Sequence, residues 1–205
     1  LFHLPLAGST FKKVYYDQLL GRAVSKFIPA EDLIVPYTAT SLDDAEAIIH
    51  SLKVSENDLR KQQVNGFYSD VELGPPGVDT NDELTKKERE LSGSKKSGKQ
   101  EPVYTVLECH VNLDLEGFED IDGENQPTGI KLPYIVTVEE GSRKVLSIRR
   151  NYAPDDLKKN KIQYFVHFKF LPGLGFYGFG LIHMIGGLSR TATAALRQLL
   201  DAGTL

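Results

Sequence analysis

With 205 residues, 40% hydrophobic and 25% charged, the chain has the balance of an ordinary globular protein and the length of one large domain or two small ones. A formal net charge of -4 excludes a whole-domain basic footprint for nucleic acid, so DNA contact has to come from a local cationic stripe or from repetition of subunits. The single cysteine, Cys109, excludes an intrachain disulfide, and no apolar run approaches the ~20 residues that cross a bilayer, so no membrane partner is expected.

In chain order, Leu1 to Tyr16 mixes β-formers around a Gly8-Ser9 break and predicts two short strands or one interrupted strand. Leu1 to Leu6 has neither the basic start nor the small-residue cleavage site of a signal peptide. The first residue is not Met, and the chain starts as a strand and ends as a helix, so a fragment of a longer polypeptide is expected. Gly21-Arg22 predicts a turn. Ala23 to Val35, interrupted by Pro29 and followed by Pro36, predicts short strands, an edge or extended loop.

Two helices are expected next. Thr40-Ser41-Leu42-Asp43 resembles a capping box, with Asp43, Asp44 and Glu46 in the first turns and Ala45, Ile48, Ile49 and Leu52 as the apolar face. Ser55-Glu56-Asn57-Asp58 opens the second, which should stop at Gly66. Gly74-Pro75-Pro76-Gly77 predicts a turn, Asp82 to Leu91 a short charged helix, and residues 92–101 a flexible, lysine-containing loop.

The second half predicts strands. In Val103 to Leu115, residues Val103, Thr105, Leu107, Cys109, Val111 and Leu113 share one face, while Tyr104, Glu108, His110 and Asn112 share the other. Cys109 is therefore expected to be a buried small hydrophobe. An acidic loop runs from Glu116 to Thr128. Tyr134 to Val138 and Lys144 to Ile148 read as a hairpin across Glu139-Glu140-Gly141-Ser142, and Lys161 to Phe170 as a further strand. The class is α+β, mainly an antiparallel sheet with several helices.

The last segment carries the most information. Gly173-Leu174-Gly175-Phe176-Tyr177-Gly178 matches the dinucleotide pattern G-x-G-x-x-G between a predicted strand and a predicted helix. The preceding strands read as antiparallel hairpins, and Phe176, Tyr177 and Phe179 would crowd a pyrophosphate. The glycines are better explained as a φ-permissive link, with the aromatics as packing anchors. A nucleotide-binding enzyme using Gly173 to Gly180 stays as the alternative. Leu181 to Ala202 predicts a helix with the stripe Leu181, Ile185, Leu188, Ala192, Ala195, Leu196 and Leu199. His183, Arg190 and Arg197 are seven apart and lie near one line. Gly186, Gly187, Ala192 and Ala195 are small enough for close helix approach. The five histidines lack metal-ligand spacing, and neither a nucleophile elbow nor a phosphate loop is present, so no catalytic, cofactor or metal site is expected.

Several phrases point to one family. Phe11-Lys12-Lys13-Val14-Tyr15-Tyr16-Asp17, Ile28-Pro29-Ala30-Glu31-Asp32-Leu33-Ile34-Val35-Pro36 and Leu42-Asp43-Asp44-Ala45 resemble the wing of tailed-bacteriophage portal proteins. Gly175-Phe176-Tyr177-Gly178-Phe179-Gly180 and Leu188-Ser189-Arg190-Thr191-Ala192-Thr193-Ala194-Ala195-Leu196 resemble the passage from wing into first stem helix. The resemblance implies a wing-like α+β domain over residues 1–172 and a Gly/aromatic linker with the first stem helix over 173–205. It implies a homo-oligomeric ring, a dodecamer, at the portal vertex of the virion, assembled in the host cytoplasm. Such a ring passes double-stranded DNA without sequence preference during packaging and ejection, and docks the terminase large subunit, capsid and tail adaptor proteins. His183, Arg190 and Arg197 would then face the channel, and Gly186, Gly187, Ala192 and Ala195 would pack subunits. A generic capsid or tail-adaptor interaction protein is the other alternative.

Overall fold

Helix replaces strand at the very start. His3–Ala7 forms α1, and Gly8, at φ +85°, ends it with its N–H on Leu4 O at 2.8 Å. A left-handed glycine closes a helix without steric cost, and Pro5 sits in the first turn, where its missing N–H does no harm. The expected strand begins after this point, as β1 (Ser9–Asp17). The computed structural model of the chain describes residues 3–17, 21–76, 102–124 and 126–203. The charged helix expected over Asp82 to Leu91 and the loop over 92–101 lie outside the described residues.

The chain divides into two compact units, Leu1–Glu46 with Gln163–Leu205, and Ala47–Ile162. The first unit is built on three antiparallel strands. β1 pairs on one side with β2 (Arg22–Ile28), across the turn at Gly21, and on the other with β8 (Phe165–Lys169). The central strand is thus flanked by strands from opposite ends of the sequence. A 3-10 turn at Ala30–Asp32 and the two-residue β3 (Leu33–Ile34) follow β2, as the prolines predicted. Phe11, Ile28, Leu33 and Phe165 form the buried end of this unit, each at most 2% exposed. The unit ends in α3 (Leu181–Gly203).

In the second unit β4 (Ala47–Ser55), β5 (Val103–Leu113), β6 (Leu132–Glu139) and β7 (Val145–Arg150) neighbour one another in that order, all antiparallel. The first of the two expected helices is absent, and β4 stands in its place. Residues i and i+4 share a side in both a helix and a strand, so Ile48 and Leu52 fit either period. The β-branched pair Ile48-Ile49 and nine residues of register with β5 decide for the strand. The acid meant to start the helix is used locally. Asp44 accepts hydrogen bonds from Ser41 N at 2.7 Å, Thr40 N at 3.1 Å and the Thr40 hydroxyl at 2.5 Å, which closes a turn instead. The second expected helix is present as α2 (Glu56–Val64), with the Ser55 hydroxyl accepting from Asp58 N and Gly66 at φ +72°.

α2 covers one side of this sheet, where Leu59, Tyr104, Val106 and Leu146 make the core. The alternation in β5 is as predicted, but the better-buried side is that of Tyr104, Val106 and His110. Cys109 is accordingly half-buried rather than fully buried, with burial and then the nearby Glu108 carboxylate raising its thiol pKa. The β6–β7 hairpin is present, with Arg143 at φ +56° and an irregularity between Thr137 and Val138. Glu139, although buried, is held below the usual carboxylate range. Burial works against its charge, and hydrogen bonds from Ser142 and Gly141 outweigh that cost.

Candidate functional site

The passage into the last helix is fastened by close backbone approach. A methyl on Gly178 would sit 2.6 Å from Gly8 O and 2.9 Å from Leu171 O, and one on Gly180 would meet Leu6 O and Gly8 N. Neither glycine has a left-handed φ. The expectation of a φ-permissive link is therefore corrected: these positions are glycine because two backbones touch there. Ser9 locks the crossing, its hydroxyl accepting from Gly178 N at 2.8 Å and lying 3.1 Å from His167 Nε2.

Aromatic rings fill the space beside it. Phe176, 7% exposed, stacks on Phe11 at 5.8 Å and on His167 at 4.8 Å, and Phe11 stacks on His167 at 4.4 Å. Tyr177 meets Phe11 edge-on at 6.3 Å. Burial, and then the Lys169 charge, push the His167 pKa down to about 4, so its ring is neutral at neutral pH and packs as an aromatic.

The same geometry bears on the G-x-G-x-x-G match. Gly178 N–H donates to Ser9, Phe179 N–H to Leu171 O at 2.7 Å, and Gly180 N–H to His183 Nδ1 at 3.1 Å. Gly173 faces the Phe179 ring, which a Cβ would approach to 3.1 Å. These three amides are committed within the chain and are not offered to a phosphate. Among the described residues no group of three or more His, Cys, Asp or Glu converges on a metal-sized site.

α3 is the opposite case. It runs for 23 residues, and none of them is buried. At about 100° per residue, Leu181, Ile185, Leu188, Ala192, Ala195, Leu196 and Leu199 fall within an arc of about 100°. Leu188, Leu196 and Leu199 are 73%, 62% and 70% exposed. Arg190 and Arg197 lie on the opposite line and are exposed. His183 shares that line, but its Nδ1 is tied to the helix start and its ring meets Phe179 edge-on at 5.9 Å. The four small residues do not form one strip. Ala192 and Ala195 lie in the apolar arc, whereas Gly186 and Gly187 flank the arginine line. A methyl on Gly187 would meet nothing within 4 Å. Thr191 and Thr193 return their hydroxyls to Gly187 O and Ser189 O, so these polar groups are satisfied within the helix. Among the described residues no helix is long and apolar enough to cross a membrane.

Sequence reasoning missed the partner of the linker. Gly8-Ser9 was legible as a break, but nothing in spacing ties residue 9 to residue 178. A glycine in each of two distant β-rich phrases is the only available signal, and it is a weak one.

The family model described as Phage SU10 portal protein matches residues 12–205, which includes most of β1, the 171–180 side of the glycine crossing and α3. No curated protein matches the chain.

Proposed function

The chain belongs to the phage SU10 portal protein family, and from that premise we propose that it is one subunit of a portal ring, a dodecamer at the vertex of the virion, assembled in the host cytoplasm. Residues 1–172 act as the wing, and 173–205 as the linker and first stem helix. The ring serves as the channel for genome packaging and ejection and docks the terminase large subunit, capsid and tail adaptor proteins. Its role is structural, and the chemistry of packaging belongs to the motor.

One observation carries this reading. α3 is amphipathic, yet its whole apolar arc is bare in the single subunit. An exposed stripe of that size marks an interaction surface, and neighbouring copies around a ring supply the cover. The arginine line then faces away from the packed arc. Arg190 and Arg197 are multiplied by the number of subunits and attract a phosphate backbone without reading bases, while His183 shares their line at the start of the helix with its Nδ1 tied to Gly180 N–H.

Negative-stain microscopy of the full-length protein is the direct test, with residues 1–205 alone expected to be mainly monomeric. Closed rings are the expected result, and discrete monomers at every concentration would overturn the reading. For the channel, Arg190→Ala with Arg197→Ala should leave rings intact and reduce DNA packaging. Unchanged packaging would remove the arginine line from the proposal.

A further inference from the structure

Strands β4, β5, β6 and β7 bring a row of polar side chains together on the face that α2 covers. Register places His50 opposite Glu108, Glu108 opposite Thr137, and Thr137 opposite Ser147. Directly opposed residues of antiparallel strands share a face, and in β5 it is the face of Tyr104 and Val106, which belong to the core. His110 lies on it too. Its Nε2 meets Glu108 Oε1 at 2.7 Å, with the two side chains 3% and 12% exposed.

Two hydroxyls in this row need a partner. Thr137 is 1% exposed, and neither its Oγ1 nor the buried Oγ of Ser147 has a hydrogen-bond partner among the described residues. A buried hydroxyl without a partner is costly, and valine would fill the same space in a strand without that cost. Opposed Thr and Ser hydroxyls can bond each other across a sheet, but these two do not. With Cβ atoms about 4.5–5.5 Å apart, a single water between them meets both at the ordinary length of about 2.8 Å. A groove lined by Gln63, Tyr68, Ser69, Ser147 and Arg149 opens on one end of the row and gives solvent a way in.

We propose that Thr137 and Ser147 bind an ordered water that bridges β6 to β7 and donates to the Glu108 carboxylate. The hydrogen bonds balance. Each hydroxyl donates to the water oxygen and one water O–H goes to Glu108, which makes about three bonds, the usual number for a buried water. A carboxylate has about four acceptor positions, so this contact adds to the one with His110. The site lies within the second unit and does not depend on the portal ring.

The test is a crystal structure of the protein that shows ordered waters, joined to chemical denaturation of Thr137→Val, Ser147→Ala and the double variant. A water peak about 3 Å from both hydroxyls is the expected result, lost in Thr137→Val and kept in Thr137→Ser, which retains the hydroxyl. Thr137→Val should lower the denaturation midpoint even though valine suits a strand at least as well, because a satisfied hydroxyl is removed and the water loses a partner. The double variant should lose less than the sum of the single losses, because both hydroxyls hold the same water. Hydroxyls turned onto backbone carbonyls, with no peak between them, would overturn the proposal. So would a midpoint that rises in Thr137→Val, the sign expected when a methyl replaces an unsatisfied hydroxyl. Additive losses would give each hydroxyl its own partner and remove the shared water.

Discussion

Residues 171–180 and helix α3 adjoin in sequence and meet their packing needs in opposite ways. In the linker, glycines press backbone on backbone, Phe176 is buried, and three successive amides have partners inside the subunit. In α3 no residue is buried, although seven apolar side chains share one arc. Apolar content therefore says little about where a segment is satisfied. The linker is satisfied within one chain, whereas the apolar arc of the helix is left uncovered by it and, on the proposed reading, is covered only in the ring.

That contrast can be broken most sharply at Phe176. Phe176→Ala should cost about 3 kcal/mol or more, read as a fall in chemical denaturation midpoint. Phe179→Ala, at a half-exposed ring, should cost clearly less. Equal losses would mean that the linker is not anchored as described. Gly178→Ala comes next, at about 2–3 kcal/mol, because backbone oxygens at 2.6 and 2.9 Å leave no room for a methyl. Gly187→Ala has the opposite sign. With open space around it, alanine should stabilise the helix by up to about 1 kcal/mol, and any loss of rings in that variant would place Gly187 at a subunit contact. Leu188→Glu sharpens the helix side. A position 73% exposed in the subunit should tolerate the change in monomer melting and lose ring formation, measured by sedimentation.

A further expected effect concerns pH. The His167 pKa is lowered from an ordinary 6.5 to about 4 in the folded chain, so between these values the unfolded state binds more protons. Stability is then full above about pH 6.5 and falls as pH drops through that window. His167→Phe keeps the stack on Phe11 and Phe176 and should flatten the melting temperature between pH 7 and 5. An undiminished slope would assign the effect to other groups.

Much of this architecture was legible from residue pattern. The α+β class, the cap at Ser55, the β6–β7 hairpin and the long last helix follow from local rules, because capping, alternation and 3.6-residue periodicity are properties of a few neighbouring residues. The errors share one cause. At Ile48 to Leu52 the apolar spacing suits both helix and strand, and pairing with β5 decides. At His3–Ala7 the composition suits a strand, but Gly8 closes a helix. In β5 the more apolar face was legible, but not that α2 covers the other one.

The candidate site divides in the same way. Arg190 and Arg197 stand on one line of α3 because a helix turns by a fixed angle per residue, and the sequence alone determines that. The separation of Gly186 and Gly187 from Ala192 and Ala195 follows from the same arithmetic. The contact of Gly8 with Gly178 and the facing of Lys13 by Lys26 were decided only by tertiary structure. Each joins residues through strand register or chain crossing, where the energy comes from partners that no local pattern names.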